Sequence, residues 1–109
     1  MATTSAILFS PDDLAPPDIV QRWLASLALP VLRVSDAETL MGVALRGRPR
    51  LVVFDSRSRA DEVLAAVKRL KGDSYTGVVP SLVVSPNDPA AFDAGFRAGA
   101  DEVVREQLD

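Results

Sequence analysis

The sequence predicts an α/β protein with a doubly wound, five-stranded parallel sheet in the order 2-1-3-4-5. Short, continuously apolar runs alternate with helical patterns along the chain, and turn residues or acids end most of those runs. Apolar strands that are each followed by a helix are typical of a parallel sheet covered on both faces. Because crossovers are right-handed, few other strand orders remain. The 109 residues fit one domain.

The first third of the chain predicts a strand, a helix and a second strand. Ala6–Phe9 is apolar throughout and leads into a turn. Pro17–Leu29 has apolar residues at helical spacing, and a proline suits the first helical turn because its missing N–H has no partner there. Pro30 ends this helix, and Val31–Val34 is the second strand.

The middle of the chain predicts the second helix, the central strand and the third helix. Ser35 or Asp36 is placed to cap the second helix. Leu51–Phe54 is the most hydrophobic strand signal in the sequence, and it runs directly into Asp55. The third helix is predicted from about Ala60 to Lys71 by apolar residues at helical spacing.

The last third predicts a strand at Pro80–Val84, a helix over about Pro89–Ala98 that Gly99 ends, and a short strand at Val103–Val104. A fifth helix is expected because both faces of the sheet need cover, yet no helical pattern follows before Asp109. We therefore expect residues 1–109 to form a single domain with its fifth helix absent or truncated, in the N-terminal part of a longer protein.

Composition excludes several classes of function. The chain has no Cys and no His, which removes disulfides, zinc sites of the Cys/His kind and thiol catalysis. A net charge of -3 argues against nucleic acid or an anionic membrane as a partner. No apolar run approaches the roughly 18 residues that a membrane helix needs. We expect a cytoplasmic protein.

Polar residues follow three of the predicted strands. In this topology ligands bind outside the carboxyl ends of the strands, beside the first and third. Ser10–Asp13 follows the first strand, Asp55 the third and Ser85 the fourth. No Gly-rich loop stands after the first strand and no nucleophile–base pair is evident, so an enzymatic or nucleotide-binding role is the weakest interpretation.

Four parts of the chain, Leu51–Asp55, Leu70–Pro80, Ser85 and Phe96–Glu102, resemble the receiver domains of bacterial response regulators, which have the CheY-like, flavodoxin-like fold. The resemblance covers nearly the whole chain. It implies that Asp55 accepts a phosphoryl group from a histidine kinase and that Ser85 hydrogen-bonds this group. It also implies that two acids after the first strand help to hold Mg²⁺ and that a lysine after the fifth strand pairs with the phosphoryl group.

The chain departs from the family pattern at the metal and lysine positions. Ser10-Pro11 stands where the family has its two acids, and Asp12-Asp13 follows two positions later. Asp55, Asp12 and Asp13 are therefore the candidates for a weak Mg²⁺ site, and otherwise no cofactor is expected. Glu106 stands at the lysine position and would repel a phosphoryl group on Asp55.

The candidate acids have two interpretations each. Asp55 is a phosphoacceptor, or it is a strand-end acid that caps its loop or pairs with Arg57 or Arg59. Asp12-Asp13 is a displaced metal pair, or it belongs to a β-turn before the first helix.

These observations favour an atypical receiver, or pseudo-receiver: a non-enzymatic signalling module that acts by protein–protein contact and is largely independent of phosphorylation. The alternative is a functional receiver that is phosphorylated on Asp55 in a two-component phosphorelay. The expected partners are a histidine kinase, the protein's own output domain or a second copy of the chain. The resemblance implies an interaction face on the fourth helix and fifth strand, with Phe92, Phe96, Arg97 and Val103.

Overall fold

A computed structural model describes residues 5–106, in which five strands alternate with four helices. The elements are β1 Ala6–Phe9, α1 Asp18–Ser26, β2 Val31–Val34, α2 Ala37–Gly47, β3 Leu51–Asp55, α3 Ala60–Gly72, β4 Ser81–Ser85, α4 Pro89–Arg97 and β5 Glu102–Arg105. All neighbouring strands are parallel, in the order β2-β1-β3-β4-β5. The predicted fold class and strand order are confirmed.

Several boundaries differ from the predicted ones by a few residues, two of them for clear local reasons. Helix α1 ends at Ser26, and Ala28 then adopts a left-handed conformation with φ of 55°. Strand β5 is longer than predicted because its pairing with β4 extends from Glu102 to Arg105. Asp36, one of the two predicted caps, accepts a hydrogen bond of 2.8 Å from the backbone N–H of Thr39 at the start of α2.

Helices α2, α3 and α4 cover one face of the sheet. The aromatic rings of Phe9 and Phe54 meet there, with centroids 5.6 Å apart. The helices add the fully buried side chains of Leu40, Val63 and Leu70 to this core. We call this side of the sheet the three-helix face.

The opposite face of the sheet is covered by α1 alone among residues 5–106. Val20 and Leu24 of α1 pack on Leu8 and Val53 of the sheet. Beside α1 a groove of about 320 Å³ remains open over β4 and β5. The fifth helix, which the sequence predicts to be absent or truncated, falls outside the described residues, and we call this side the one-helix face.

Asp101, in the loop before β5, connects the start of β4 to the end of α3. Its Oδ2 accepts hydrogen bonds of 2.8 Å from both Lys71 Nζ, at the end of α3, and the backbone N–H of Ser81. Burial acts to raise the pKa of Asp101, but the hydrogen bonds from Lys71 and Ser81 outweigh it, and the pKa is lowered. The carboxylate therefore stabilises the fold in its ionised form.

Candidate functional site

Asp55 lies at the carboxyl end of the central strand, β3. Its register partner on β4 is Val84, whose carbonyl oxygen also accepts a 2.9 Å hydrogen bond from the backbone N–H of Ser56. The Asp55 side chain is only 2% exposed. A buried carboxylate requires a counterion and hydrogen-bond donors, because transfer of an unpaired charge from water into the protein interior is costly.

Arg57 supplies both to Asp55. Its Nε donates to Asp55 Oδ1 at 2.9 Å, and its Nη2 donates to Oδ2 at 2.6 Å. The backbone N–H of Arg57 adds a third bond to Oδ1 at 3.1 Å. Nη2 also donates to the carbonyl oxygen of Ala15 at 2.6 Å, so the guanidinium ties the β3–α3 loop to the β1–α1 loop. Both oxygens of Asp55 are therefore engaged by one neighbouring side chain.

The charges around Arg57 keep it protonated. Its hydrogen bonds to Asp55 raise its pKa; burial opposes this, and the negative charges of Asp55 and Glu106 raise the pKa further. Of the two arginines predicted as partners of Asp55, the structure thus selects Arg57. Arg59 has a left-handed backbone with φ of 54°, and its side chain pairs with Asp12 at 3.4 Å and with Glu62 at 3.6 Å.

The loop after β1 is a β-turn. The backbone N–H of Asp13 donates to the carbonyl oxygen of Ser10, and Ser10 Oγ accepts a 3.0 Å bond from the N–H of Leu14. Asp12 accepts a hydrogen bond from Ser58 Oγ. Asp13 Oδ1 lies 2.8 Å from Arg33 Nε, at the end of β2. Each acid is therefore held by a different side chain.

Ser85 is completely buried at the carboxyl end of β4. Its hydroxyl donates to the carbonyl oxygen of Pro86 at 3.0 Å. Asp55 and Ser85 lie at the ends of adjacent strands, as predicted, but no hydrogen bond joins their side chains in the described part of the chain.

Solved structures similar to this chain include receiver domains of response regulators. A candidate response regulator from Chloroflexus aurantiacus superposes with a TM-score of 0.78 at 20% identity, covering 97% of this chain and 88% of that chain. The chemotaxis protein CheY4 of Vibrio cholerae gives 0.71 at 17% identity, with coverages of 97% and 89%.

The receiver domain of the sensor histidine kinase PA1611 from Pseudomonas aeruginosa, solved with magnesium coordinated in its active-site cleft, gives 0.69 at 17% identity, with coverages of 97% and 88%. The chain has the fold of a response regulator receiver domain. No protein-family model matches the sequence, and no curated protein matches it either.

The magnesium ion that the receiver fold implies does not fit the residues present at this site. Both oxygens of Asp55 are bound by Arg57, and Asp12 and Asp13 are held by other side chains. Across residues 5–106 there is no group of three acidic, His or Cys side chains that could hold a metal. Asp55, Asp12 and Asp13 therefore do not form the predicted Mg²⁺ site, because their carboxylates are bound by arginine and serine side chains instead.

The predicted interaction face of the receiver fold is only partly on the surface. Phe92 and Phe96 stack edge to face on α4 with centroids 5.5 Å apart, and Phe96 is 42% exposed beside the exposed Arg97. Val103 is buried, contrary to its predicted place on this surface. The reason is Gly95, which has no Cβ and lets α4 approach β5 so closely that a Cβ would lie 2.8 Å from Val103.

The sequence interpretation missed the contacts of Arg33 with the β1–α1 loop, which lies beside Asp55 at the carboxyl ends of the strands. Arg33 Nη2 donates to the carbonyl oxygen of Leu14 at 2.8 Å, in addition to its pair with Asp13. Parallel pairing of β1 with β2 puts Arg33 opposite Leu8, near the acidic turn. The predicted strand order combined with this register would have found the contact.

Among the described residues no helix is long and apolar enough to cross a bilayer.

Proposed function

We propose that this protein is a pseudo-receiver of two-component signalling: a cytoplasmic, non-enzymatic docking module that works without phosphorylation of Asp55. The observation that carries the proposal is the paired hydrogen bonding of Arg57 to both oxygens of Asp55. The receiver fold supports a place in such signalling, and the closed site supports independence from phosphate.

The chemistry of phosphoryl transfer explains why the Arg57 contact matters. A carboxylate attacks phosphorus with a free oxygen, and the charge that builds on the equatorial oxygens needs a hard cation. In this site neither Asp55 oxygen is free. Leaving a buried carboxylate without its charged partner costs about 3–5 kcal/mol. Glu106 adds negative charge near Arg57, which disfavours a phosphoryl dianion further.

The alternative function is a live phosphoacceptor receiver. It is favoured by the position of Asp55 at the end of β3 and of Ser85 at the end of the adjacent β4, as the receiver pattern requires. For this function Arg57 would have to leave Asp55 and the carbonyl oxygen of Ala15 before the carboxylate could react.

The docking contact is proposed for the exposed part of α4. Phe96 and Arg97 give this surface an aromatic ring beside a cation, and Phe92 supports the ring from below. The partners proposed for it are a histidine kinase, an output domain or a second copy of the chain. Sedimentation velocity at rising protein concentration tests self-association: Phe96→Asp should abolish it, whereas Leu45→Asp, at a half-exposed apolar residue of α2, should not. Equal behaviour of both variants would remove this face from the proposal.

Phosphorylation itself is tested by intact-mass spectrometry after incubation with acetyl phosphate and Mg²⁺. We expect no phosphoryl adduct on the wild-type protein, while a response regulator of established activity in the same tube is modified. The isosteric Asp55→Asn variant should likewise show no phosphoryl adduct. An adduct on the wild type that disappears in Asp55→Asn would establish the live receiver instead.

A further inference from the structure

A second candidate site lies at the amino ends of the strands, on the opposite end of the sheet from Asp55. The loops between α2 and β3 and between α3 and β4 border a cleft of about 540 Å³ there. Its walls are formed by Ala44, Arg48, Pro49, Arg50, Ser74, Tyr75, Val78, Val79 and Pro80. None of the lining residues that the structure describes is acidic.

The cleft combines unpaired positive charge with exposed apolar surface. Arg48 and Arg50 are both exposed, and neither makes an ion pair within residues 5–106. Tyr75 is 73% exposed and Val78 is 81% exposed. Asp73 lies just outside the lining, but its Oδ1 accepts the backbone N–H groups of Tyr75 and Thr76. The arginines of the cleft therefore have no acidic partner of their own in a chain of net charge -3.

The backbone at Arg48 is an independent reason to consider this cleft functional. Arg48 caps the C-terminus of α2 in the left-handed conformation, with φ of 44° and ψ of 69°. Glycine is the favoured residue at this kind of position because a Cβ makes the conformation strained. The capping bond comes from the backbone N–H of Arg48 to the carbonyl oxygen of Ala44, so a glycine would make it equally well. A cation at a helix C-terminus is stabilised by the helix dipole, but this offsets only part of the left-handed strain, and the same exposed side chain lines the cleft.

We propose that this cleft binds an acidic peptide segment of a partner protein, with carboxylates on Arg48 and Arg50 and an aliphatic side chain against Tyr75 and Val78. Guanidinium groups bind carboxylates through two parallel hydrogen bonds. The exposed Tyr75 and Val78 favour a ligand with apolar side chains over a bare anion. This inference rests on the proposed function, because it names a partner for the docking module.

The test uses fluorescence anisotropy with a labelled peptide of alternating Glu and Leu and a Lys–Leu peptide of equal length. The wild type should bind the acidic peptide only. Arg48→Gln and Arg48→Gly should each weaken binding about tenfold, through the loss of charge-assisted hydrogen bonds. Arg46→Gln is the matched control, because Arg46 lies over Gly42 on the surface of α2 and does not line the cleft. This variant should bind as the wild type does.

Stability measurements separate binding from folding. Arg48→Gly should raise the urea midpoint because it relieves the left-handed strain, whereas Arg48→Gln keeps a Cβ and should not. A more stable Arg48→Gly that binds the peptide unchanged would overturn the cleft proposal. An equal loss of peptide binding in Arg46→Gln would also overturn it. Displacement of the peptide by ADP at equal concentration would overturn it too, because the cleft would then be a nucleotide site.

The same titration repeated with beryllofluoride and Mg²⁺ distinguishes the two proposals. Unchanged peptide affinity is expected. A changed affinity that still depends on Arg48 would contradict phosphate independence but leave the cleft in place. Peptide binding that is the same with and without beryllofluoride and does not depend on Arg48 in either condition would contradict the cleft alone.

Discussion

The two faces of the sheet are built from the same strands but are covered very differently. In β3, Val52 and Phe54 point into the three-helix face, and Leu51 and Val53 point into the one-helix face. The three-helix face buries large side chains under three helices, whereas on the one-helix face Trp23 of α1 stays 41% exposed beside an open groove. Alternation along a strand therefore determines which side chains share a face of the sheet. The number of helices that cover a face determines how much apolar area those side chains bury, and so how much they stabilise the protein.

The largest expected loss of stability comes from a substitution at the centre of the three-helix face. Phe54→Ala should lower the free energy of unfolding by about 3–5 kcal/mol, because it removes a fully buried ring and leaves a cavity against Phe9. Trp23→Ala is the counterpart on the one-helix face and should cost about 1 kcal/mol, because that ring is already partly in water. Urea unfolding measures both. Equal losses would mean that the two faces do not differ as described.

A glycine exchange sharpens the contrast between tight and loose packing. Gly95→Ala should cost about 1–3 kcal/mol, because its Cβ would lie 2.8 Å from Val103 between α4 and β5. Gly42→Ala on α2 should instead stabilise the protein by up to about 1 kcal/mol, because its Cβ meets only the flexible Arg46 side chain at 3.5 Å. Thermal unfolding of both variants would contradict the packing account if the two shifts had the same sign.

The smallest effect depends on pH and concerns the Asp101 contact with Lys71 and Ser81. The folded-state pKa of Asp101 is lowered, so its contribution to stability is present above the unfolded pKa of about 4 and is lost as the pH falls through the folded value. Urea midpoints of the wild type and Asp101→Asn should therefore differ at neutral pH and converge below about pH 4. A difference that stays constant with pH would show that Asp101 does not act through its charge.

The strands and their order could be predicted because continuous apolar runs and intervening helices restrict the topology. The exposure of Trp23 could not be predicted in the same way. Apolar periodicity in α1 indicates which of its side chains need a neighbouring element, but it does not indicate whether each neighbouring element is present. The burial of Val103 could not be predicted either, because the sequence does not show how closely Gly95 lets α4 approach β5.

At the Asp55 site, the sequence could predict that an arginine pairs with Asp55 but not which arginine does so. Arg57 and Arg59 lie two and four residues after Asp55, so spacing alone leaves either as its partner. The left-handed backbone at Arg59 directs that side chain to Asp12 and leaves Asp55 to Arg57. Backbone conformation in the loop decides the pairing, and sequence periodicity carries no information about it.

A double-mutant cycle on Asp55 and Arg57 tests most directly whether Arg57 has taken the place of the cation at this site. Urea unfolding is measured for the wild type, Asp55→Asn, Arg57→Gln and the double variant, each with and without Mg²⁺. We expect each single change to cost about 3 kcal/mol, the double change to cost less than the sum by at least about 1 kcal/mol, and Mg²⁺ to leave the wild type unchanged. Additive losses together with a wild type that Mg²⁺ stabilises would contradict the account.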